Sequence, residues 1–296
     1  MPSQEHDSLA DFLSAAPVAK DDLAVEIQRE NYEKLLSLNL IPQDVSIEPI
    51  RIGDCDADWV QAGKPEERIV LYLHGGGYVI GSNIGYREFA GRLSRSLGAR
   101  VCLLNYRLAP EHPFPAALDD AITAYHWLLS EGFSERKITI AGDSAGGGLA
   151  LAMILRLRQS GDPLPAASIC ISPWCDLLHT GHSSQPGVVE DDPLINNGIT
   201  ELMASLYTTK DQLDNPLVSP LYGEFSGVMP IQIFVGTREK LLDDSRRLLS
   251  KLESGGVTTE YFEEEGLIHV WPVLLPNAPE SIQALARMSD FLDRYC

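Results

Sequence analysis

Lys137-Ile138-Thr139-Ile140-Ala141-Gly142-Asp143-Ser144-Ala145-Gly146 runs on into Leu149-Ala150-Leu151-Ala152-Met153-Ile154-Leu155. A β-type apolar run thus passes through a glycine-flanked serine into a helix-forming run. A sharp strand-to-helix turn forces the serine backbone into a strained conformation, and only glycine on each side leaves room for the strand and the helix to approach. The serine hydroxyl is then held out at the top of a sheet, the arrangement of a nucleophile elbow. Five residues with two free positions match by chance often, so the reading depends on the rest of the chain.

Outward from this turn, apolar runs alternate with helix-period segments. The strand-like runs cover 69–73, 101–106, 138–141, 168–171 and 231–235, with a weaker one at 259–262. Phe89, Leu93 and Leu97 recur every four residues before Gly98, and Leu118, Ile122, Tyr125 and Leu129 give a second helical face. Residues 281–295 supply a C-terminal helix. Such alternation predicts an α/β fold whose central, mainly parallel sheet is flanked by helices. Residues 21–38 form a helix with one apolar face and no adjoining strand, and 175–225, with Asp191-Asp192-Pro193-Leu194 and a helix at 199–209, lack the βαβ pattern. Long interruptions of this kind are usually functional. Together they read as a helical cap, with 1–45 its N-terminal part, 175–225 an insertion, and 46–174 and 226–296 the two parts of the core.

Composition narrows the classes of function. The chain has 296 residues, 44% of them hydrophobic, enough for a large core, and a formal charge of −19. That charge disfavours nucleic acids and anionic membrane surfaces and suits neutral or apolar ligands. The N-terminus Met1-Pro2-Ser3-Gln4-Glu5-His6-Asp7 lacks a secretory pattern, which predicts a cytoplasmic protein without a membrane span. Five cysteines, with Cys102 and Cys170 inside apolar runs, read as buried thiols. None has zinc-ligand spacing, so neither a metal nor a cofactor is expected.

A serine hydroxyl needs a base to take its proton and donors to hold the oxyanion formed at an attacked carbonyl. His74-Gly75-Gly76-Gly77 follows the run 69–73 directly, at a strand's carboxyl end where ligands of α/β sheets bind. In the hydrolase pattern this glycine loop and the residue after the nucleophile, here Ala145, offer their N–H groups to the oxyanion. The same pattern orders the triad serine, acid, histidine. Of seven histidines only His269 lies downstream of the strand at 259–262, whereas His6 falls in a tail read as frayed. For the acid, Glu239 and Asp243 compete in the loop after 231–235, and nearness to the strand end favours Glu239.

These motifs, with Tyr106-Arg107-Leu108-Ala109-Pro110-Glu111-His112-Pro113-Phe114-Pro115, Ser172-Pro173-Trp174-Cys175-Asp176 and Gly266-Leu267-Ile268-His269-Val270-Trp271, resemble the hormone-sensitive-lipase-like esterases, group IV of the α/β-hydrolase superfamily. The resemblance runs from about residue 65 to the C-terminus. It implies Ser144 as nucleophile, His269 as base and the amides of Gly76, Gly77 and Ala145 as oxyanion hole. The family's usual Asp-Pro-Leu acid loop is replaced by Glu239-Lys240-Leu241, so glutamate takes the acid's place and Asp243 matches the second, helix-start aspartate. Arg107, Glu111 and Asp119 are implied to pair and cap, and Tyr78 and Trp174 to line the substrate pocket. The implied activity is hydrolysis of small-molecule carboxylic esters with short to medium acyl chains, and a homodimer is the family expectation. A lactone or acetylated-metabolite hydrolase would use the same triad. A non-catalytic ligand receptor is the alternative of another class: plant gibberellin receptors resemble the family but lack its histidine, which here is present as His269.

Overall fold

The computed structural model describes residues 1–64 and 67–296. In chain order its elements are α1 (Gln4–Ala15), α2 (Val25–Leu36), β1 (Val45–Ile52), β2 (Cys55–Ala62), β3 (Arg68–Leu73), α3 (Asn83–Leu97), β4 (Ala99–Leu104), α4 (Ala116–Ser130), β5 (Ile138–Asp143), α5 (Ala145–Ser160), β6 (Ala167–Ile171), α6 (Asn197–Tyr207), β7 (Ile231–Arg238), α7 (Leu242–Ser254), β8 (Thr259–Ile268), α8 (Trp271–Leu274) and α9 (Pro279–Tyr295). The strands form one sheet in the order β1-β2-β4-β3-β5-β6-β7-β8. From β4 to β8 all pairings are parallel, and β2 alone runs against its neighbours.

Burial explains which strands the apolar runs announce. Every residue of β5 and β6 is buried, as parallel strands covered by helices on both faces must be. The hairpin β1–β2 escapes such a reading: β1 alternates exposed and half-buried residues around Pro49, and its two-residue turn, Gly53-Asp54, has Gly53 at φ 58°. β8 is longer than its apolar part because Glu263, Glu264 and Glu265 continue the strand at the sheet edge. Arg246 and Arg287 neutralise two of these carboxylates.

Helix ends follow their local sequence. The Ser82 side chain accepts from the N–H groups of Ile84 and Gly85 to start α3, and Gly98 ends it at φ 56°. Asp119 corrects one expectation: it lies exposed on the first turn of α4, and Arg107 instead pairs with buried Asp120, 2.7 Å from its Oδ1. Glu111 pairs with Arg29 of α2 at 2.7 Å, so the turn-rich segment anchors the N-terminal helices.

Arg92 of α3 reaches the segment that follows His269. It donates to the carbonyls of Pro272 and Val273 at 2.8 and 2.7 Å while paired with buried Glu88 at 2.8 Å. Replacing Arg92 by methionine leaves Glu88 buried without a partner, which costs about 3 kcal/mol. Chemical denaturation of R92M should show that loss, and the double variant R92M/E88L should recover most of it.

Candidate active site

Ser144 stands between β5 and α5 at φ 53° and ψ −123°, a region that L-residues seldom occupy. Such a conformation costs about 1–3 kcal/mol and survives only where its surroundings fix it. Here the Ser144 N–H donates to the Ile171 carbonyl at 2.8 Å, and its own carbonyl accepts from Trp174 at 2.9 Å and Gly148 at 3.1 Å. A Cβ on Gly142 would overlap the Gly146 carbonyl, and one on Gly146 would overlap the carbonyls of Leu73 and His74. Both glycines are therefore required by close approach.

Asp143 fastens this turn to the glycine loop. Its buried carboxylate accepts from Gly75 N–H at 2.9 Å, Tyr72 Oη at 2.7 Å and Tyr86 Oη at 2.8 Å. Burial pushes the carboxyl up to about 6, against the pull of these donors. His74, beside it, stacks on Tyr106 with centroids 4.3 Å apart, and burial lowers its ring to about 4, so it stays neutral. Gly76 and Gly77, at φ 118° and 62°, turn the loop into the cavity beside Ser144. Ala145 is the first residue of α5, where a helix N–H has no carbonyl of its own helix to bind.

On the other side, Glu239 follows the last residue of β7 and is fully buried. One carboxylate oxygen accepts from Gly236 N–H at 2.6 Å and Ser172 Oγ at 2.8 Å, and the other meets His269 Nδ1 at 2.5 Å. A carboxylate only accepts, so Nδ1 carries the proton and Nε2 is left as the basic nitrogen. Burial lowers the His269 pKa, but the charge and hydrogen bond of Glu239, with the fields of Asp192 and Asp143, outweigh it and leave the ring raised above 6.5. Asp243 is turned elsewhere: its Oδ2 accepts from Ser183 N–H at 2.9 Å.

Ser144, His269, Gly76, Gly77 and Trp174 share the wall of one cavity of about 70 Å³. The rest of its wall is mainly apolar, and much of it comes from Val18, Ala19 and Tyr32 near the N-terminus and from residues 194–203, including Leu194, Ile195 and Met203. Tyr78 is not on this wall. Its ring stacks on Tyr207 of α6 with centroids 3.8 Å apart, which draws it behind the cavity, while Gly77 and Ile80 take the lining positions.

Two further residues serve the site without having been assigned to it. Ser172, at φ 46°, donates to Glu239 and accepts from Val270 N–H at 3.2 Å, joining Glu239 to the histidine loop. Its sequence signal is its position one residue beyond β6. His6, expected in a frayed tail, is fully buried on α1 and accepts from Ile268 N–H at 3.0 Å, immediately before His269. Ser3 caps α1 and also donates to Glu280 at 2.8 Å, which is why the N-terminus does not fray.

Residues 70–273 match the family model described as alpha/beta hydrolase fold. An acetyl-hydrolase of Streptomyces hygroscopicus is 39% identical over 86% of this chain and 84% of its own length. An esterase of Acinetobacter venetianus is 35% identical over 85% and 84% of the two chains. Among solved structures, an esterase from the bacterial hormone-sensitive lipase family superposes with a TM-score of 0.95 at 37% identity, covering 100% of this chain and 99% of the other. An esterase/lipase from an uncultured bacterium gives 0.91 at 38% identity over 99% and 98%. The chain belongs to the α/β-hydrolase family, in its hormone-sensitive-lipase-like branch of ester hydrolases. Among the described residues no helix is long and apolar enough to cross a membrane.

Removing the His6 ring strands the buried Ile268 N–H next to the histidine loop, a loss of about 1–3 kcal/mol. Thermal unfolding of His6→Ala should report that destabilisation, with His6→Gln, which keeps an acceptor, the milder change.

Proposed function

We propose that Ser144, His269 and Glu239 are the nucleophile, base and acid with which this ester hydrolase cleaves carboxylic esters of short to medium acyl chains. The observation that carries the reading is the contact of His269 Nδ1 with a fully buried Glu239, on a cavity wall that also holds Ser144 and the glycine loop. His269 Nε2 takes the Ser144 proton as Oγ attacks the ester carbonyl. Glu239 keeps the ring in the correct tautomer and stabilises the imidazolium that forms. The N–H groups of Gly76, Gly77 and Ala145 hold the oxyanion. His269 then returns the proton to the leaving alcohol, and a water activated by the same nitrogen releases the acid from Ser144.

The apolar cavity wall and the charge of −19 both favour uncharged substrates. Walls contributed by residues 18–32 and 194–203 support taking 1–45 and 175–225 as a cap, and a small cavity of about 70 Å³ supports acyl chains of modest length. The acetyl-hydrolase among the relatives favours the short end of that range. We also propose a cytoplasmic homodimer, for which β8 offers a sheet edge; light scattering of the purified protein tests the dimer.

A p-nitrophenyl ester series from acetate upward should be hydrolysed fastest at its short members. Ser144→Ala should lower kcat at least about 10⁴-fold and Glu239→Gln about 10³-fold or more, with Asp243→Asn far milder. Turnover independent of Ser144 sinks the assignment, and greater damage from Asp243→Asn moves the acid.

The pH dependence has a definite sign. His269 acts as base only when neutral, and its folded pKa is raised, so the acid limb of kcat/KM should lie above pH 6.5. Stability runs the other way: the extra stabilisation of the protonated ring is fully present below 6.5 and is lost as pH rises through the folded value. Comparing unfolding of the wild type and His269→Gln across that range measures it.

A further inference from the structure

The pair Asp191-Asp192 lies in the segment between β6 and β7, yet its contacts are with the residues on either side of Glu239. Asp191 Oδ2 accepts from Arg238 Nε at 2.8 Å, and its carbonyl accepts from the same nitrogen at 3.2 Å. Asp192 Oδ2 accepts from Lys240 N–H at 2.9 Å. The other oxygen, Oδ1, accepts from the N–H groups of Leu194 and Ile195, each at 3.0 Å. Leu194 and Ile195 line the cavity, as does Leu241 next to Lys240. One carboxylate is therefore shared between the cavity wall and the loop that carries the acid.

A second tie reinforces the same loop. Ser183 Oγ donates to the Lys240 carbonyl at 2.7 Å and accepts from Asp243 N–H at 3.0 Å. Glu239 is thereby clamped from the segment 183–192 through both neighbours, while its own oxygens are committed to Gly236, Ser172 and His269.

Charge couples the same groups. Burial pushes the Asp192 carboxyl up to about 6, and the charge of His269 and the three backbone N–H groups pull against that rise. Reciprocally, the Asp192 charge is among the causes that raise His269. The charged group that acts on this carboxylate is His269 beyond β8, and from the β7 side it meets only the Lys240 N–H; Arg238, the last residue of β7, is paired with neighbouring Asp191, and Asp143 at the end of β5 adds its field at His269.

We propose that Asp192 is a positioning residue that makes the seating of the catalytic acid and the shape of the cavity wall one event. A substrate that presses on Leu194 and Ile195 acts on the same carboxylate that holds Lys240 in register. A correctly occupied pocket is then the one in which Glu239, and through it His269, stand in line. The proposal rests on the triad reading above.

The test compares Asp192→Asn and Asp192→Glu with Ser144→Ala on p-nitrophenyl acetate from pH 5 to 9. Asp192→Asn removes the charge and one set of acceptor contacts, so kcat should fall about tenfold. Its acid limb should move down by about half a unit, because a field favouring the imidazolium is gone. Asp192→Glu keeps the charge but displaces the oxygens, so kcat should fall with the limb in place. A folded Asp192→Asn with kcat within about twofold of wild type and an unmoved limb overturns the proposal, as does a rise in KM alone. If Asp192→Asn does not fold, Asp192→Glu decides, and wild-type kcat in that variant overturns it. Activity surviving in Ser144→Ala refutes the triad reading instead, so the two failures are distinguishable.

Discussion

A carboxylate with no exposure to water cannot be left to find its partners by chance, and Glu239 is such a group. An isolated buried charge costs several kcal/mol, so each oxygen must be met by a donor. The donors come from different elements: Gly236 from β7, Ser172 from just beyond β6, and His269 from just beyond β8. Satisfying this one group therefore fixes the carboxyl ends of three neighbouring strands relative to one another. Asp143 does the same for β3 and β5 through Gly75 and Tyr72. Ser144 directly follows Asp143, and its N–H is held by the carbonyl of Ile171, the neighbour of Ser172, so the strained turn is joined through adjacent residues to both networks.

How much of this arrangement could be read from the chain depended on how local its cause is. The central strands are legible because parallel strands buried on both faces must be apolar throughout, as at 138–141 and 168–171. The hairpin β1–β2 is not, because a half-exposed antiparallel pair mixes polar residues and Pro49 into its pattern. The glutamates of β8 hide its second half, since their arginine partners lie far along the chain. Asp119 and Asp120 are adjacent and chemically alike, and only the helix phase decides which one faces Arg107.

The site divides in the same way. A glycine-bounded serine, a glycine loop after a strand and a histidine before the last helix are each demanded by geometry within a few residues, and so leave a written trace. Ser172 and His6 leave little, because their work is a hydrogen bond to a backbone or side chain 67 to 262 positions away. Tyr78 shows the converse: it sits beside the glycine loop in sequence, but Tyr207 offers its ring a face to stack on, away from the cavity. Residues of the cavity wall such as Leu194 and Met203 are ordinary apolar side chains. Nothing in their type distinguishes them from core.

The fit of a glutamate at 239, the proposed acid, follows from where the loop is held. Residue 239 is the first beyond β7, with Arg238 tied to Asp191 on one side and Lys240 tied to Asp192 on the other. Those ties set the distance between the backbone at 239 and the imidazole. From that position the longer side chain can fold back to accept from Gly236, three residues earlier, and still place its second oxygen 2.5 Å from His269 Nδ1. An aspartate is one methylene shorter, so its loop must stand correspondingly closer to the histidine, which the contacts of the segment 183–192 oppose. The length of the Glu239 side chain and the anchoring of its loop are thus matched, and a change in either without the other would leave a buried carboxylate short of its partner.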